Sequence, residues 1–317
     1  MGFCEQAQSR VFSDLSATII HQAGFTHMKL SLMLPMIPML LASCLSSPTN
    51  LSGQCKVLRE VAYVKAGHDR QKLDLYLPET ERKEAAPVVI AIHGGAWAFG
   101  DKANDSFVKP KCSWFVEQGF IVASINYRLS PAVTHPAHIQ DVIHAMAWVA
   151  ANIAKHGGDP KQIYLLGHSA GAHLAALAAV DEKRLQAAGV DPKSIMGVIL
   201  LDGAAYDVRR EASRALRRDN MFTRAFTMDP DTQTDASPTS KVAIMQGTPP
   251  PFLILHIILR QESKRQSEAL AAALKAKGAK VELLALRGKT HGSINRDMGK
   301  PGDATTIAVE KFLKSLR

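Results

Sequence analysis

Apolar residues between positions 58 and 286 form two kinds of run, and these predict two kinds of β-strand. The runs 58–64 and 72–78 alternate apolar with polar residues, as in antiparallel strands that have one face in water. Six later runs are mostly continuous apolar segments, which are typical of parallel strands covered by helices on both faces. These six are Pro87–Gly95, Phe120–Arg128, Ile163–Ser169, Gly197–Gly203, Pro251–His256 and Val281–Leu286.

Helical periodicity occupies the stretches between the strands. After Pro136, apolar residues recur at i, i+3, i+4 and i+7 until Gly157 interrupts the pattern. Ser263 and Gln266 have the spacing of a capping box, which predicts the start of another helix that ends at Gly278.

This order of elements predicts one α/β domain over residues 58–317, with an eight-stranded, mostly parallel sheet and helices on both faces. The polar residues 45–57 are interpreted as a linker that precedes it. Residues 206–247, between the sixth and seventh strands, interrupt the alternation and are predicted to form a small cap over the carboxyl end of the sheet.

Composition narrows the possible partners. The 317 residues are 46% apolar and 21% charged, as in a globular protein, and the net charge is +9. Only 6% are aromatic and no nucleic-acid motif is present, so we expect no nucleic-acid partner. Four cysteines without zinc-like spacing predict neither a metal site nor a disulfide scaffold. A disulfide between Cys55 and Cys112 is neither predicted nor excluded by the sequence.

Residues 28–44 resemble a bacterial lipoprotein signal peptide. Lys29 precedes the apolar run 30–41, which is too short to span a bilayer comfortably, and a "LASC" box ends at Cys44. The resemblance implies cleavage before Cys44 and its lipidation, hence an exported, periplasmic or membrane-anchored protein. Residues 1–27 would then be an extension or a misassigned start.

A buried apolar helix is the alternative interpretation of the same run. Pro35 and Pro38 argue against it, because proline interrupts helical hydrogen bonding. Export is therefore the preferred prediction.

Ser169 lies between Gly167 and Gly171, directly after a predicted strand and before a helical run. Glycines on both sides allow the strained strand-to-helix turn that lifts a serine hydroxyl above a sheet. The helix amides that follow favour developing negative charge. Ser169 is thus the candidate nucleophile, and a purely structural turn is the weaker alternative.

The stretch "HGGAW" follows the third strand and can supply an oxyanion hole. Acyl transfer needs backbone N–H donors aimed at the tetrahedral oxyanion, and small residues allow close approach. The amides of Gly94, Gly95 and Ala96, together with that of Ala170, are the candidates.

His291 is the candidate base, since it lies in the loop after the last strand, where a side chain can reach the nucleophile. The other histidines near the motifs are expected to have no catalytic role. We interpret His93, His168 and His173 as structural partners, and His135 and His138 as surface residues rather than metal ligands.

The motifs "HGGAW", "GHSAG" and "KTHGSIN" resemble those of the α/β-hydrolase fold. The resemblance is to bacterial carboxylesterases near the hormone-sensitive-lipase, feruloyl-esterase and kynurenine-formamidase groups, and it covers roughly residues 58–317. It implies the same nucleophile, base and oxyanion hole.

The triad acid is the missing element. In those relatives an aspartate follows the seventh strand, whereas this chain has Leu259 and its neighbours there. Asp202, at the end of the sixth strand, is the preferred substitute, and Glu262 is the second choice. Asp207 is a poorer option, and the absence of any acid, with impaired activity, stays open.

The predicted activity is cleavage of a small carboxylic ester through an acyl-enzyme, without a metal or organic cofactor. An arylformamidase or amidase is the nearest alternative. A catalytically impaired, hydrolase-fold binding protein is the alternative of another class.

Overall fold

The computed structural model describes residues 55–79, 83–214 and 219–317. The predicted extension 1–27, the signal peptide 28–44 with Cys44, and linker residues 45–54 lie outside these ranges. The first strand begins at Cys55 instead of residue 58, so the last part of the predicted linker is wrong. Cys55 and Lys56 pair with Pro78 and Leu77, and the strand therefore runs the full length of its partner.

The eight strands form one sheet, as predicted. Its order is β1-β2-β4-β3-β5-β6-β7-β8; the β1–β2 and β2–β4 pairs are antiparallel, and all later pairs are parallel. The strands are β1 Cys55–Ala62, β2 Lys72–Pro78, β3 Ala86–Ile92, β4 Ile121–Ile125, β5 Gly158–His168, β6 Ile195–Leu201, β7 Phe252–Ile257 and β8 Val281–Leu286.

Helices cover both faces of the sheet. They are α1 Asp105–Val108, α2 Lys111–Glu117, α3 Ala137–Asn152, α4 Ala170–Val180, α5 Glu182–Ala187, α6 Val208–Arg214, α7 Met221–Phe226, α8 Pro230–Asp235, α9 Pro238–Ile244, α10 Gln261–Ala276, α11 Ser293–Arg296 and α12 Ala304–Lys314. Within the described residues, none of these helices has the length and apolarity needed to span a bilayer.

Two apolar layers hold the helices against the sheet. One layer joins the sheet to α3, α4 and α10, and the other joins it to α2 and α12. Strand residues on both faces are buried, which is why their sequences read as continuous apolar runs rather than alternating ones. Cys112 in α2 is buried, and it and Cys55 are both free thiols, so the pairing left open above is absent.

The register of the parallel strands aligns the residues that leave the sheet. His168 at the end of β5 pairs with Leu201 at the end of β6, and Leu201 pairs with Leu255 in β7. The next residues, Ser169 and Asp202, donate backbone hydrogen bonds to the carbonyls of Leu201 and Leu255, at 3.0 and 2.7 Å. Both residues thus leave the same edge of the sheet on adjacent strands.

Helices α6 to α9 occupy the segment 206–247 that was predicted as a cap. The Phe226 ring packs 4.7 Å from that of Trp97, in the loop after β3, and 5.2 Å from the imidazole of His173 in α4. The His173 Nε2–H donates to the Ala236 carbonyl at 2.8 Å. The segment is therefore anchored beside the loop that follows β3.

The capping box predicted at Ser263 and Gln266 is wrong. Helix α10 begins at Gln261 with Arg260 at the N-cap, and no side chain caps it. Both predicted capping side chains are buried: Ser263 binds Asp202, and Gln266 donates to Glu211 at 2.6 Å. Tertiary partners thus replace the local ones that the spacing suggested.

His135 and His138 are buried, so the prediction that they lie at the surface is wrong. His135 Nε2 lies 2.7 Å from Asp235 Oδ2 in the cap, and His138 Nε2 lies 3.1 Å from the hydroxyl of Ser130. The cap contacts His135 through Asp235 and Phe226, whereas Ser130 and Tyr127 lie against the ring of His138.

Candidate active site

Ser169 occupies a strained turn between β5 and α4. Its backbone, at φ 54° and ψ −119°, lies outside the regions that side-chain-bearing residues favour. A Cβ on Gly167 would lie 2.1 Å from the Gly171 carbonyl oxygen, and one on Gly171 would lie 2.1 Å from that of Ile92. The turn therefore requires glycine at both positions, which is the geometry expected from the sequence.

Three predicted residues meet at the carboxyl edge of the sheet. His291 Nε2 lies 3.0 Å from Ser169 Oγ, and His291 Nδ1 lies 2.7 Å from Asp202 Oδ2. His291 comes from the loop between β8 and α11; its side chain is 39% exposed, whereas that of Asp202 is fully buried. The arrangement is that of a nucleophile, a base and an orienting acid.

Asp202 is held by more donors than the sequence suggested. Its Oδ1 accepts from Ser263 Oγ at 2.7 Å and from the Ile257 amide at 3.3 Å, and its Oδ2 accepts from Arg260 at 2.6 Å. Burial alone would raise the pKa of Asp202, but its close contacts with His291, Ser263 and Arg260 outweigh burial and hold that pKa well below its usual range. Asp202 is therefore a carboxylate at neutral pH.

The other candidate acids lie elsewhere. Glu262 is on the first turn of α10, where it binds Arg265 and faces Arg214, so the second choice for the acid does not contact His291. Asp207 accepts from the Arg210 amide at 3.1 Å. Leu259, at the position where the relatives have an aspartate, is 88% exposed. It lies in solvent, so the lack of an acid there leaves no empty space within the site.

The loop after β3 lies against the serine. A Cβ on Gly94 would lie 3.1 Å from Ser169 Cβ, so backbone and nucleophile are in close contact. Gly95, Ala96 and Trp97 all have positive φ values, of 114°, 50° and 59°. This backbone turns sharply beside the hydroxyl, and Trp97 fixes it by donating from Nε1 to His173 Nδ1 at 3.3 Å.

Neutral histidines support the site. Burial lowers the pKa of His93 to about 4, and those of His168 and His173 to about 3. His168 Nε2–H donates to the His291 carbonyl at 2.8 Å and thereby fixes the loop that carries the base. These contacts are those of structural partners.

A cavity of 320 Å³ opens beside the serine turn. The loop after β3 lines one side with Gly94 and Phe99, and Asn295 lines the other; Asn104 and Phe107 complete part of the wall. Among the described residues, no group of three or more histidine, cysteine or acidic side chains is arranged to hold a metal ion.

Comparison with known proteins shows that this chain is similar to esterases. Esterase LipQ of Mycobacterium tuberculosis is 38% identical over 211 residues, covering 64% of this chain and 49% of LipQ. Esterase LipC of the same organism is 31% identical over 290 residues, covering 85% of this chain and 70% of LipC. The chain thus spans about half the length of LipQ and more than two thirds of LipC.

A solved esterase structure has a similar fold. The crystal structure of Esterase B from Lactobacillus rhamnosis superimposes with a TM-score of 0.68 at 22% identity, covering 83% of this chain and 85% of that one. The family profile named BD-FAE matches residues 73–274. These findings confirm the resemblance to α/β-hydrolase carboxylesterases, and the chain belongs to the BD-FAE family.

Proposed function

We propose that the protein is a serine hydrolase that cleaves small carboxylic esters through an acyl-enzyme intermediate. Ser169 is the nucleophile, His291 the general base and Asp202 the acid that orients it. The observation that carries the proposal is the continuous chain of contacts, 3.0 Å from Ser169 Oγ to His291 Nε2 and 2.7 Å from His291 Nδ1 to Asp202 Oδ2. The esterase relatives support the reaction class.

In the first half-reaction, Ser169 Oγ attacks the acyl carbon while its proton passes to His291 Nε2. The oxyanion of the tetrahedral intermediate accepts hydrogen bonds from amides of Gly94, Gly95 or Ala96 and from that of Ala170, at the start of α4. The imidazolium then returns the proton to the alcohol that leaves. Water repeats the sequence and releases the acid.

A fluorophosphonate probe and a panel of substrates test this function. We expect the probe to label the wild type and not Ser169→Ala, and short p-nitrophenyl esters to be hydrolysed by the wild type alone. Folding of Ser169→Ala is checked by circular dichroism. Unlabelled, folded wild type would contradict the proposal and favour a binding protein. Turnover of N-formylkynurenine without turnover of esters would also contradict it.

We propose in addition that the protein is exported and lipidated at Cys44. The support is the sequence pattern of residues 28–44: a lysine, an apolar run and the "LASC" box. Labelling of bacteria with an alkynyl fatty acid should tag the wild type but not Cys44→Ala. Equal labelling of both, or recovery of both in the cytoplasm, would contradict lipid anchoring.

A further inference from the structure

Arg260 inserts a cation between the base and the acid. Its Nη1 lies 2.6 Å from His291 Nδ1 and 2.6 Å from Asp202 Oδ2, while Nδ1 and Oδ2 are themselves 2.7 Å apart. The three atoms thus form a nearly equilateral triangle. Both nitrogens lie within hydrogen-bond distance of the same carboxylate oxygen.

The hydrogen-bonding capacity of the guanidinium decides what His291 Nδ1 can be. Arginine carries only donors and stays protonated in proteins. An N–H on Nδ1 would face a guanidinium N–H across 2.6 Å, whereas a lone pair on Nδ1 would face the carboxylate oxygen across 2.7 Å. Held in this position, Nη1 can donate one N–H to each of the two acceptors, so the arrangement favours a lone pair on His291 Nδ1.

The tautomer at Nδ1 fixes the role of the other ring nitrogen. A neutral imidazole has one N–H and one lone pair, so an acceptor at Nδ1 places the proton on Nε2. That nitrogen is the one 3.0 Å from Ser169 Oγ. It would then donate to the hydroxyl and could not take its proton.

We propose that Arg260 is a positioning residue that holds His291 in the tautomer unable to act as a base, so that the site is at rest until this side chain leaves Nδ1. This inference rests on the proposed function of Ser169 and His291. The guanidinium also opposes the imidazolium charge that develops during attack, whereas Asp202 stabilises it.

The surroundings of Arg260 allow it to leave. It is the N-cap residue of α10, at the end of the short turn after β7, and its side chain is 35% exposed, so a path from the site into solvent is open to it. Asp202 keeps its bonds from Ser263 and the Ile257 amide when the guanidinium departs. Asp202 Oδ2 would then accept from His291 Nδ1–H without competition from Arg260.

A purely electrostatic role is the competing explanation, in which Arg260 serves only as the counter-ion of buried Asp202. The two explanations predict opposite results. If Arg260 blocks the base, its removal raises turnover; if it only supports Asp202, its removal lowers turnover. The tautomer of His291 in the wild type separates them directly.

The test combines NMR with kinetics. In ¹⁵N-histidine-labelled protein above pH 8, long-range ¹H–¹⁵N correlations report which ring nitrogen of His291 is protonated, with His291→Gln giving the assignment. We expect Nε2–H in the wild type and Nδ1–H in Arg260→Leu. For a short p-nitrophenyl ester, kcat of Arg260→Leu should rise about tenfold or more while KM changes less than about twofold.

Two further variants complete the design. Arg265→Leu removes a guanidinium from the same helix that binds Glu262 and not the triad, and it should leave kcat unchanged. Arg260→Gln removes the charge with a polar side chain and should also raise kcat, which keeps the test valid if Arg260→Leu misfolds. Nδ1–H in the wild type, or unchanged or lower kcat in folded Arg260 variants, would overturn the proposal.

Failure of the proposed function gives a different result. In that case no variant hydrolyses esters and the probe labels none of them, yet the tautomer of His291 still changes between the wild type and Arg260→Leu. An unchanged tautomer, with Ser169 labelled in the wild type, contradicts the Arg260 inference alone.

Discussion

Ser263 Oγ donates a hydrogen bond to Asp202 Oδ1 across 2.7 Å and thereby ties helix α10 to the end of β6. The same hydroxyl lies 2.9 Å from the Gly203 carbonyl, and Ser263 is fully buried. Asp202 therefore lies at the end of β6, while part of its support comes from α10, the helix that follows β7. This link gives the relocated acid a fixed orientation toward His291.

Ser263→Ala should lower kcat about tenfold and change KM little, because Asp202 loses one of the donors that orient it. Loss of a hydrogen bond to this buried, charged acceptor should also lower the free energy of unfolding, by about 1–3 kcal/mol. Ester kinetics and urea unfolding measure the two effects. Ser267→Ala is the matched control: Ser267 is buried one turn later, and its hydroxyl has no partner among the described residues. Equal kcat values in the two variants would contradict the supporting role.

Asp202→Asn should lower kcat by about 10³- to 10⁴-fold, because an amide can neither select the tautomer of His291 nor stabilise its charged form. Glu262→Gln should change kcat less than about threefold, since Glu262 binds arginines on the helix surface. Leu259→Asp should also have little effect, as its side chain is 88% exposed.

The same three variants test whether the acid was relocated. Steady-state kinetics with one ester suffices, together with circular dichroism to verify folding. A large rise in kcat for Leu259→Asp, or a harmless Asp202→Asn, would mean that the site lacks its acid and that Asp202 only orders the turn.

The sequence predicts the strands and the turn at Ser169 well because both follow local rules. Continuous apolar runs indicate strands buried on both faces, and the glycines around Ser169 indicate a sharp strand-to-helix turn. The support of Asp202 by Ser263 and Arg260 follows no such rule. Ser263 has a capping-box spacing, and only the three-dimensional approach of β6 and α10 shows that its hydroxyl is used elsewhere.

The histidines illustrate the same limit. His291 was predictable because it follows the last strand, where loops reach the edge of the sheet. The burial of His135 and His138 was not, since it depends on tertiary contacts that no periodic pattern fixes, with the cap for His135 and with Ser130 for His138.

Gly171→Ala should strongly destabilise the fold, because the added Cβ would lie 2.1 Å from the Ile92 carbonyl oxygen and 2.6 Å from that of His93. These backbone carbonyls cannot move away as cheaply as a flexible side chain, so a loss of about 2–4 kcal/mol is expected. Gly292→Ala is the control for stability: no atom lies within 4 Å of its added Cβ, and its φ is −77°. Thermal unfolding of both variants measures the difference, and equal melting temperatures would contradict the close approach of β3 to the serine turn.

Glu211 should make the protein less stable as the pH rises. It is 5% exposed in cap helix α6, and burial, followed by its contact with Glu262, raises its pKa to about 7, although Gln266 donates to it. An unfolded glutamate has a pKa of about 4.3. Between these values the folded state binds more protons than the unfolded state, so the free energy of unfolding falls as pH rises from about 5 to about 8 and is then constant.

Glu211→Gln isolates this effect because it keeps a neutral, hydrogen-bonding side chain of similar size. Urea unfolding at pH 5 and pH 8 should show that the wild type loses on the order of 2 kcal/mol more than the variant over this range. Glu310→Gln, on the surface of α12, is the control and should behave as the wild type does. A wild type and a Glu211→Gln variant with parallel pH profiles would mean that Glu211 is ionised at pH 5. In that case Glu211 would ionise as an ordinary exposed carboxyl does, and the junction of the cap with α10 would hold two charges instead of one.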